Sequence, residues 1–144
     1  MTRFHYLARG VIMMDDKVLV AKGINAENTF LPGGHIEMGE KATDALQREM
    51  TEEIGHSATV STFLGAIEHT WGDEEQMNHE INLLFKVEIN GLTTAQAPQS
   101  QEPHLQFLWL GLDQLTQYDL RPEPVIELIK GIGSNTVGYW GSTL

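Results

Sequence analysis

Apolar and polar positions group along this chain into short strand-like runs and two stretches with a helical period. Residues 4–14 are rich in β-formers and predict a strand, Asp15 and Asp16 a turn, and residues 17–22 (KVLVAK) the return strand of a hairpin. A loop over residues 23–28 leads to a short strand at 29–31. From Lys41 to Ile54 there is no Pro or Gly, and Ala, Leu, Gln, Arg, Glu and Met dominate, which predicts a helix. At about 100° per residue Leu46, Met50 and Ile54 form one stripe, with Thr43 beside them, suited to packing on a core. Residues 59–69 alternate loosely, and residues 72–76 make an acidic turn. Residues 78–88 (NHEINLLFKVE) form a strand whose apolar middle predicts a central place in a sheet. The polar connection 90–104 is long enough for a functional or mobile loop. A last strand at 105–112 runs into a short helical turn at 112–115. A helix over 122–132 has Pro near its start and Gly131 near its end. Residues 133–144 are Gly- and Ser-rich, with Tyr139 and Trp140 as the large anchors, and suggest no function.

Strands before the first helix, strands after it and a closing helix predict an α+β fold with a sheet between helices. No repeat, low-complexity segment or boundary interrupts the 144 residues, so a single domain over 1–144 is expected. The absence of cysteine excludes disulfide and thiol chemistry, and together with the lack of a signal-peptide pattern favours a cytoplasmic address. No apolar run approaches the roughly 20 residues of a membrane span. A formal net charge of -11, with Lys and Arg totalling nine, argues against a long nucleic-acid partner. It leaves room for a small phosphorylated substrate brought in with cations.

Part of that charge lies on the first helix. Glu49, Glu52 and Glu53 fall within an arc of about 100° beside the apolar stripe, and Ala42 and Ala45 leave space in the same arc. Three carboxylates on one face repel one another. A hard divalent cation resolves the conflict, because Mg²⁺ or Mn²⁺ takes oxygen ligands between carboxylates and substrate phosphates. A solvated acidic face is the plainer alternative. Arg48, next to Glu49 and four positions before Glu52, is placed to hold a carboxylate in one rotamer. Ahead of the helix, Gly33 and Gly34 follow Leu31-Pro32, so a strand end turns sharply where positive φ and close backbone approach are permitted.

Gly34, Glu40, Arg48, Glu49, Glu52, Glu53 and Gly55 stand at the spacing G-x5-E-x7-R-E-x-x-E-E-x-G. Seven such positions coincide by chance roughly once per billion starting points. The stretch resembles the Nudix box, the signature of enzymes that hydrolyse nucleoside diphosphates linked to another group. One departure is His56, where the box usually ends on an apolar residue. The resemblance implies the Nudix α/β/α sandwich with a central mixed sheet. It also implies a metal shell of Glu49, Glu52, Glu53 and the Gly33 carbonyl, holding Mg²⁺ or Mn²⁺.

By the same resemblance Glu102, five residues ahead of Phe107, reaches back over the metal site as a catalytic, metal or substrate-binding group. Lys22 stands where MutT-like enzymes carry a basic residue near the phosphates. Arg9 interrupts an apolar strand and either ends at the surface or points into a cleft as a substrate-binding group. The implied reaction is hydrolysis of a pyrophosphate bond in a nucleoside di- or triphosphate derivative, with Arg48 orienting Glu49 and either Glu49 or Glu102 as general base. Residues 122–126 (PEPVI) resemble the MutT segment in which an asparagine reads oxidised guanine, but Pro122 lacks the amide, which puts that specificity in doubt. Without cysteine the related isomerase chemistry is excluded. His79-Glu80 opens like a zinc-protease motif, but Leu83 stands where its second His belongs. His69 and His79 could still face each other across neighbouring strands, structural roles being the commoner alternative. A non-catalytic nucleotide sensor on the same fold is the rival reading, although such proteins typically lose box carboxylates. A homodimer is left open.

Overall fold

The computed structural model describes residues 1–133 and 138–144. Nine strands, two α-helices and one short 3-10 turn (Leu112–Gln114) are assigned among them: β1 (Thr2–Val11), β2 (Met13–Met14), β3 (Lys17–Gly23), β4 (Thr29–Phe30), β5 (Gly33–His35), α1 (Ala42–Ile54), β6 (Ala58–Gly72), β7 (Met77–Ile89), β8 (Leu105–Gly111), α2 (Pro124–Lys130) and β9 (Trp140–Ser142). The middle layer is divided. One sheet runs β5-β1-β7-β6-β9 and is mixed, since β1 lies parallel to β7 and β9 parallel to β6 while the other pairs are antiparallel. In the other, β3 carries β8 along one edge and the short β2 and β4 along the other. The break between β1 and β2 falls at Ile12, whose carbonyl accepts the Leu19 N–H at 3.0 Å. The first strand thus serves both sheets.

Alternation along the strands divides the core in two. Ala8, Leu19, Ala21, Phe85 and Val87 turn to one side and meet Leu46, Met50 and Ile54 of α1. Val11, Val18, Val20 and Leu84 turn to the other and meet Val125, Leu128 and Ile129 of α2. Both faces of the central strands are therefore covered, as their apolar runs require. The expected α/β/α sandwich with a mixed sheet is observed, and β7 is central.

Several boundaries differ. The closing helix is Pro124–Lys130, shorter than the expected 122–132, because Arg121 is tied back to β4: its N–H donates to the Thr29 carbonyl at 3.0 Å. The tail also holds a strand that its Gly and Ser content did not suggest. β9 pairs with β6, and the Tyr139 hydroxyl donates to Glu127 at 3.1 Å, so Tyr139 anchors it while Trp140 stays exposed. Residues 134–137 of that tail lie outside the described residues. Among the described residues no helix is long and apolar enough to cross a membrane.

The turn before α1 tolerates little change. Gly33 has φ 144°, and a Cβ there would stand 2.0 Å from the Ala8 carbonyl oxygen on the paired strand. Backbone cannot yield as a flexible side chain can. Gly33→Ala is therefore expected to cost about 3 kcal/mol or more, read as a lower denaturant midpoint with the m-value unchanged; a loss within about 0.5 kcal/mol would contradict the packing described.

Candidate active site

Helix α1 presents its acidic face to the β5 turn. Its buried side includes Leu46, Met50 and Ile54, as the stripe predicts, and also Ala45 and Glu53 from the neighbouring arc, Glu53 being 7% exposed. Glu53 lies at the margin of the stripe, so packing the helix carries it inward. Its Oε2 accepts the Gly33 N–H at 3.3 Å. Burial dominates its ionisation and pushes its pKa up to about 8; Arg9 and the Gly33 N–H oppose the rise, while Glu49 and Glu102 add to it. The sequence-predicted Glu49, Glu102 and Arg9 are thus all close enough to Glu53 for their charges to act on it.

Arg48 gathers the other carboxylates. Its guanidinium donates to both oxygens of Glu40, each at 2.9 Å, to Glu49 at 3.0 Å, to Glu52 at 3.4 Å and to the His35 carbonyl at 3.1 Å. The bidentate partner is Glu40, which explains why a glutamate eight residues before the arginine belongs to the motif. Arg48 holds the Glu40 carboxyl down at about 2, and Glu40 in turn raises the arginine. Gly34 matters by what it lacks, because a Cβ there would lie 2.6 Å from Oε1 and 2.7 Å from Oε2 of Glu49. The glycine leaves the space that the Glu49 carboxylate occupies.

Among the described residues no three acidic or histidine side chains form a ready-made metal cage, since Glu49 and Glu52 are turned onto Arg48. The donor chemistry nonetheless fits a hard divalent cation: an all-oxygen set of Glu49, Glu52, Glu53 and the Gly33 carbonyl, with a buried carboxylate that lacks a full counter-charge.

Beside this cluster lies a cavity of about 350 Å³, within the range of small-molecule sites. Arg9 lines it, its Nη1 donating to the Leu31 carbonyl at 3.2 Å and its guanidinium standing 5.5 Å from the Phe30 ring centre. Burial lowers the Arg9 pKa, and Glu53, Glu80 and Glu49 oppose that. Glu80, Asn82, His69, Trp71, Arg121 and Pro122 also line the cavity. Asn82 is 1% exposed, and its Oδ1 has no partner, an arrangement that costs about 1–3 kcal/mol unless something donates to it. His69 is held from the tail, its Nδ1 hydrogen-bonded to the Thr143 hydroxyl at 2.8 Å, and burial lowers its pKa.

Not every expected residue converges. Lys22 is half-buried on β3 opposite Thr29 and Gln106 and lines no part of this cavity, and among the described residues its side chain makes no hydrogen bond or ion pair. Glu102 sits in the 90–104 loop, its N–H donating to the Ser100 hydroxyl at 3.0 Å, while the neighbouring Gln101 N–H donates to the Glu53 carbonyl at 2.8 Å and docks the loop on α1. His69 and His79 do not face each other. The register pairs His69 with Glu80, so His79 falls on the opposite face, near Phe4. The β7 residues missed from the sequence are Glu80 and Asn82. Their signal was the alternation Asn78, Glu80, Asn82, which puts three polar side chains on one face of a central strand.

A sequence profile of the NUDIX domain matches residues 4–129, and the chain belongs to this family. It is 34% identical over 87 residues to an ADP-ribose pyrophosphatase of Methanocaldococcus jannaschii, covering 57% of this chain and 49% of that protein. It is 46% identical over 50 residues to an RNA pyrophosphohydrolase of Ruthia magnifica subsp. Calyptogena magnifica, covering 33% and 28%. The chain thus spans half or less of these curated relatives. Among solved structures, a MutT NUDIX hydrolase from Burkholderia pseudomallei superposes with a TM-score of 0.70 at 24% identity, covering 88% of this chain and 97% of that one. That likeness concerns the fold.

The buried glutamate sets a pH dependence with a definite sign. Without divalent cations the folded chain keeps the Glu53 proton up to about pH 8, whereas an unperturbed carboxyl releases it near 4.5. Folding takes up a proton in that window, so the contribution of Glu53 to stability falls as pH rises, by at most about 1.4 kcal/mol per pH unit. Glu53→Gln should remove this fall. Denaturant melts in chelator between pH 5 and 8 should show wild type losing ground to the variant as pH rises; parallel curves would contradict the burial assigned to Glu53.

Proposed function

We propose that this chain is a divalent-metal-dependent pyrophosphohydrolase that cleaves a pyrophosphate bond in a small nucleotide derivative and releases a nucleoside monophosphate or other phosphorylated product. The observation that carries this reading is the position of Glu53, a buried carboxyl within reach of the charges of Glu49, Glu102 and Arg9, the last of which lines a cavity of small-molecule size. The names of the two curated relatives, both pyrophosphate-cleaving enzymes, support it.

Glu49, Glu52, Glu53 and the Gly33 carbonyl would hold Mg²⁺ or Mn²⁺. Once bound, such an ion neutralises phosphate charge and acidifies a water. The chain's own part is positioning and proton transfer. Arg48 fixes Glu49 from one side and is itself fixed by Glu40, so the helix face keeps its geometry when a substrate enters. Arg9, on the same side as Glu53, offers N–H donors to phosphate oxygens. Either Glu49 or Glu102 takes the proton of the attacking water. Glu49 stands on the rigid helix, and Glu102 on a loop docked against it.

The test is a panel of nucleoside triphosphates, dinucleotide polyphosphates, nucleotide sugars and ADP-ribose, each with Mg²⁺, with Mn²⁺ and with chelator, the products identified by mass spectrometry. Metal-dependent release of a nucleoside monophosphate is expected. Glu53→Gln should retain its circular dichroism and lose on the order of 100-fold in turnover. Unchanged turnover in that variant would sink the mechanism. Tight nucleotide binding with no turnover of any panel member would replace the enzyme with a sensor.

A further inference from the structure

The far end of the cavity carries a charged residue that phosphate chemistry does not use. Glu80 of β7 accepts one hydrogen bond on each carboxylate oxygen: Oε2 from the Trp71 indole N–H at 3.1 Å and Oε1 from the Asn82 amide at 3.0 Å. Each oxygen therefore keeps a free acceptor position. The Asn82 orientation is settled by acceptors, because its Nδ2 also reaches the Ile67 carbonyl at 3.5 Å. Its buried Oδ1 is left unpartnered. Trp71 is braced in turn by the His5 ring, stacked at 6.2 Å with 18° between planes.

The cavity is therefore polarised. Arg9 pairs with Leu84, four residues along β7 from Glu80, so the two backbone positions are roughly 13 Å apart. No ion pair closes between their side chains among the described residues. The Arg9 end adjoins Glu53 and the phosphate-handling face. The Glu80 end offers acceptors beside the Trp71 ring, while Phe30 lies against Arg9 and Pro122 also lines the cavity. A nucleotide held by its phosphates near Arg9 presents its base to Glu80.

Two free acceptor positions on the two oxygens of one carboxylate suit two parallel N–H donors. Guanine has that edge, with N1–H adjacent to the 2-amino group. Adenine and cytosine place their amino group beside a ring-nitrogen acceptor, and uracil and thymine flank a single N–H with two carbonyls. Each of those sets a lone pair against the carboxylate. We propose that Glu80 determines specificity at this site, selecting a nucleotide with a 2-amino-6-oxopurine base, and that Trp71 and Asn82 position its carboxylate. The assignment of the phosphate end rests on the hydrolase reading above. Pro122, without an amide, contributes only its ring, and base reading falls to the β7 wall.

Guanosine and inosine monophosphates differ only in the 2-amino group, which isolates the contact. Calorimetric titration of the full chain with GMP, IMP and UMP should give GMP about tenfold or more tighter than IMP, with UMP weaker than both. Glu80→Gln should erase the GMP-to-IMP ratio, since its amide turns one acceptor into a donor. Equal affinity of the unaltered chain for GMP and IMP, no binding of any of the three, or a ratio that survives in Glu80→Gln would overturn the proposal. The GMP–IMP comparison needs no variant, so it decides the matter even where Glu80→Gln does not fold. The two readings fail separately: an absence of nucleotide turnover removes the hydrolase, whereas turnover indifferent to the base removes only the role of Glu80.

Discussion

A carboxylate buried on the core-facing margin of α1 is the constraint around which this region is built. Glu53 is drawn inward because Met50 and Ile54 must pack, and it meets one backbone donor, Gly33, and the field of one cation, Arg9. Gly33 and Arg9 are direct partners in the β1–β5 pairing. A one-residue slip of that register would turn the arginine to the other face. Pairing two strands thus fixes what surrounds a helix residue twenty positions away. The helix in turn fixes how the carboxylates stand to one another, since Glu49 and Glu52 cannot move far from Glu53 on a rigid rod.

Arg48 solves the related problem on the exposed side. A planar guanidinium directs its N–H groups along set lines, which lets one side chain serve Glu40, Glu49, Glu52 and the His35 carbonyl together. A lysine would supply the same single charge but not this fixed set of N–H directions. The arrangement leaves Glu53 outside the reach of Arg48, so the rim is tied by hydrogen bonds to one guanidinium while the interior carboxyl meets burial, the Gly33 N–H and the charge of Arg9. That inequality distinguishes it from an ordinary solvated acidic helix.

Local and chemical features were the legible part. The spacing from Gly34 to Gly55 displayed the family, the apolar stripe displayed which side of α1 is buried, and Asp15-Asp16 displayed the first turn, where both residues adopt positive φ. Features that depend on register were not legible. That Glu40 is the chief partner of Arg48 depends on how the 36–41 segment wraps back on the helix, and no spacing rule states it. That His79 leaves the cavity while Glu80 enters depends on which residue of β6 lies opposite. The strand at 140–142 was hidden because Gly and Ser weaken any β signal, and its place on β6 comes from Tyr139 gripping α2. The polar alternation along β7 was readable in principle, but a run of Leu and Phe in the same strand drew attention to burial.

The parallel pairing of β1 with β7 has a consequence for how the molecule assembles. Thr2 lies beside Met77 and Val11 beside Lys86, so the first strand finds this neighbour only after more than half of the chain exists. Contacts so distant in sequence are entropically slow to close. During synthesis α1 emerges well before β7, and its row of glutamates then has no finished sheet behind it. Like charges on that stretch oppose association of one unfinished chain with another while the edge of β1 waits. The glutamates that crowd one face of the finished helix thereby also act as solubilising charge before it is finished.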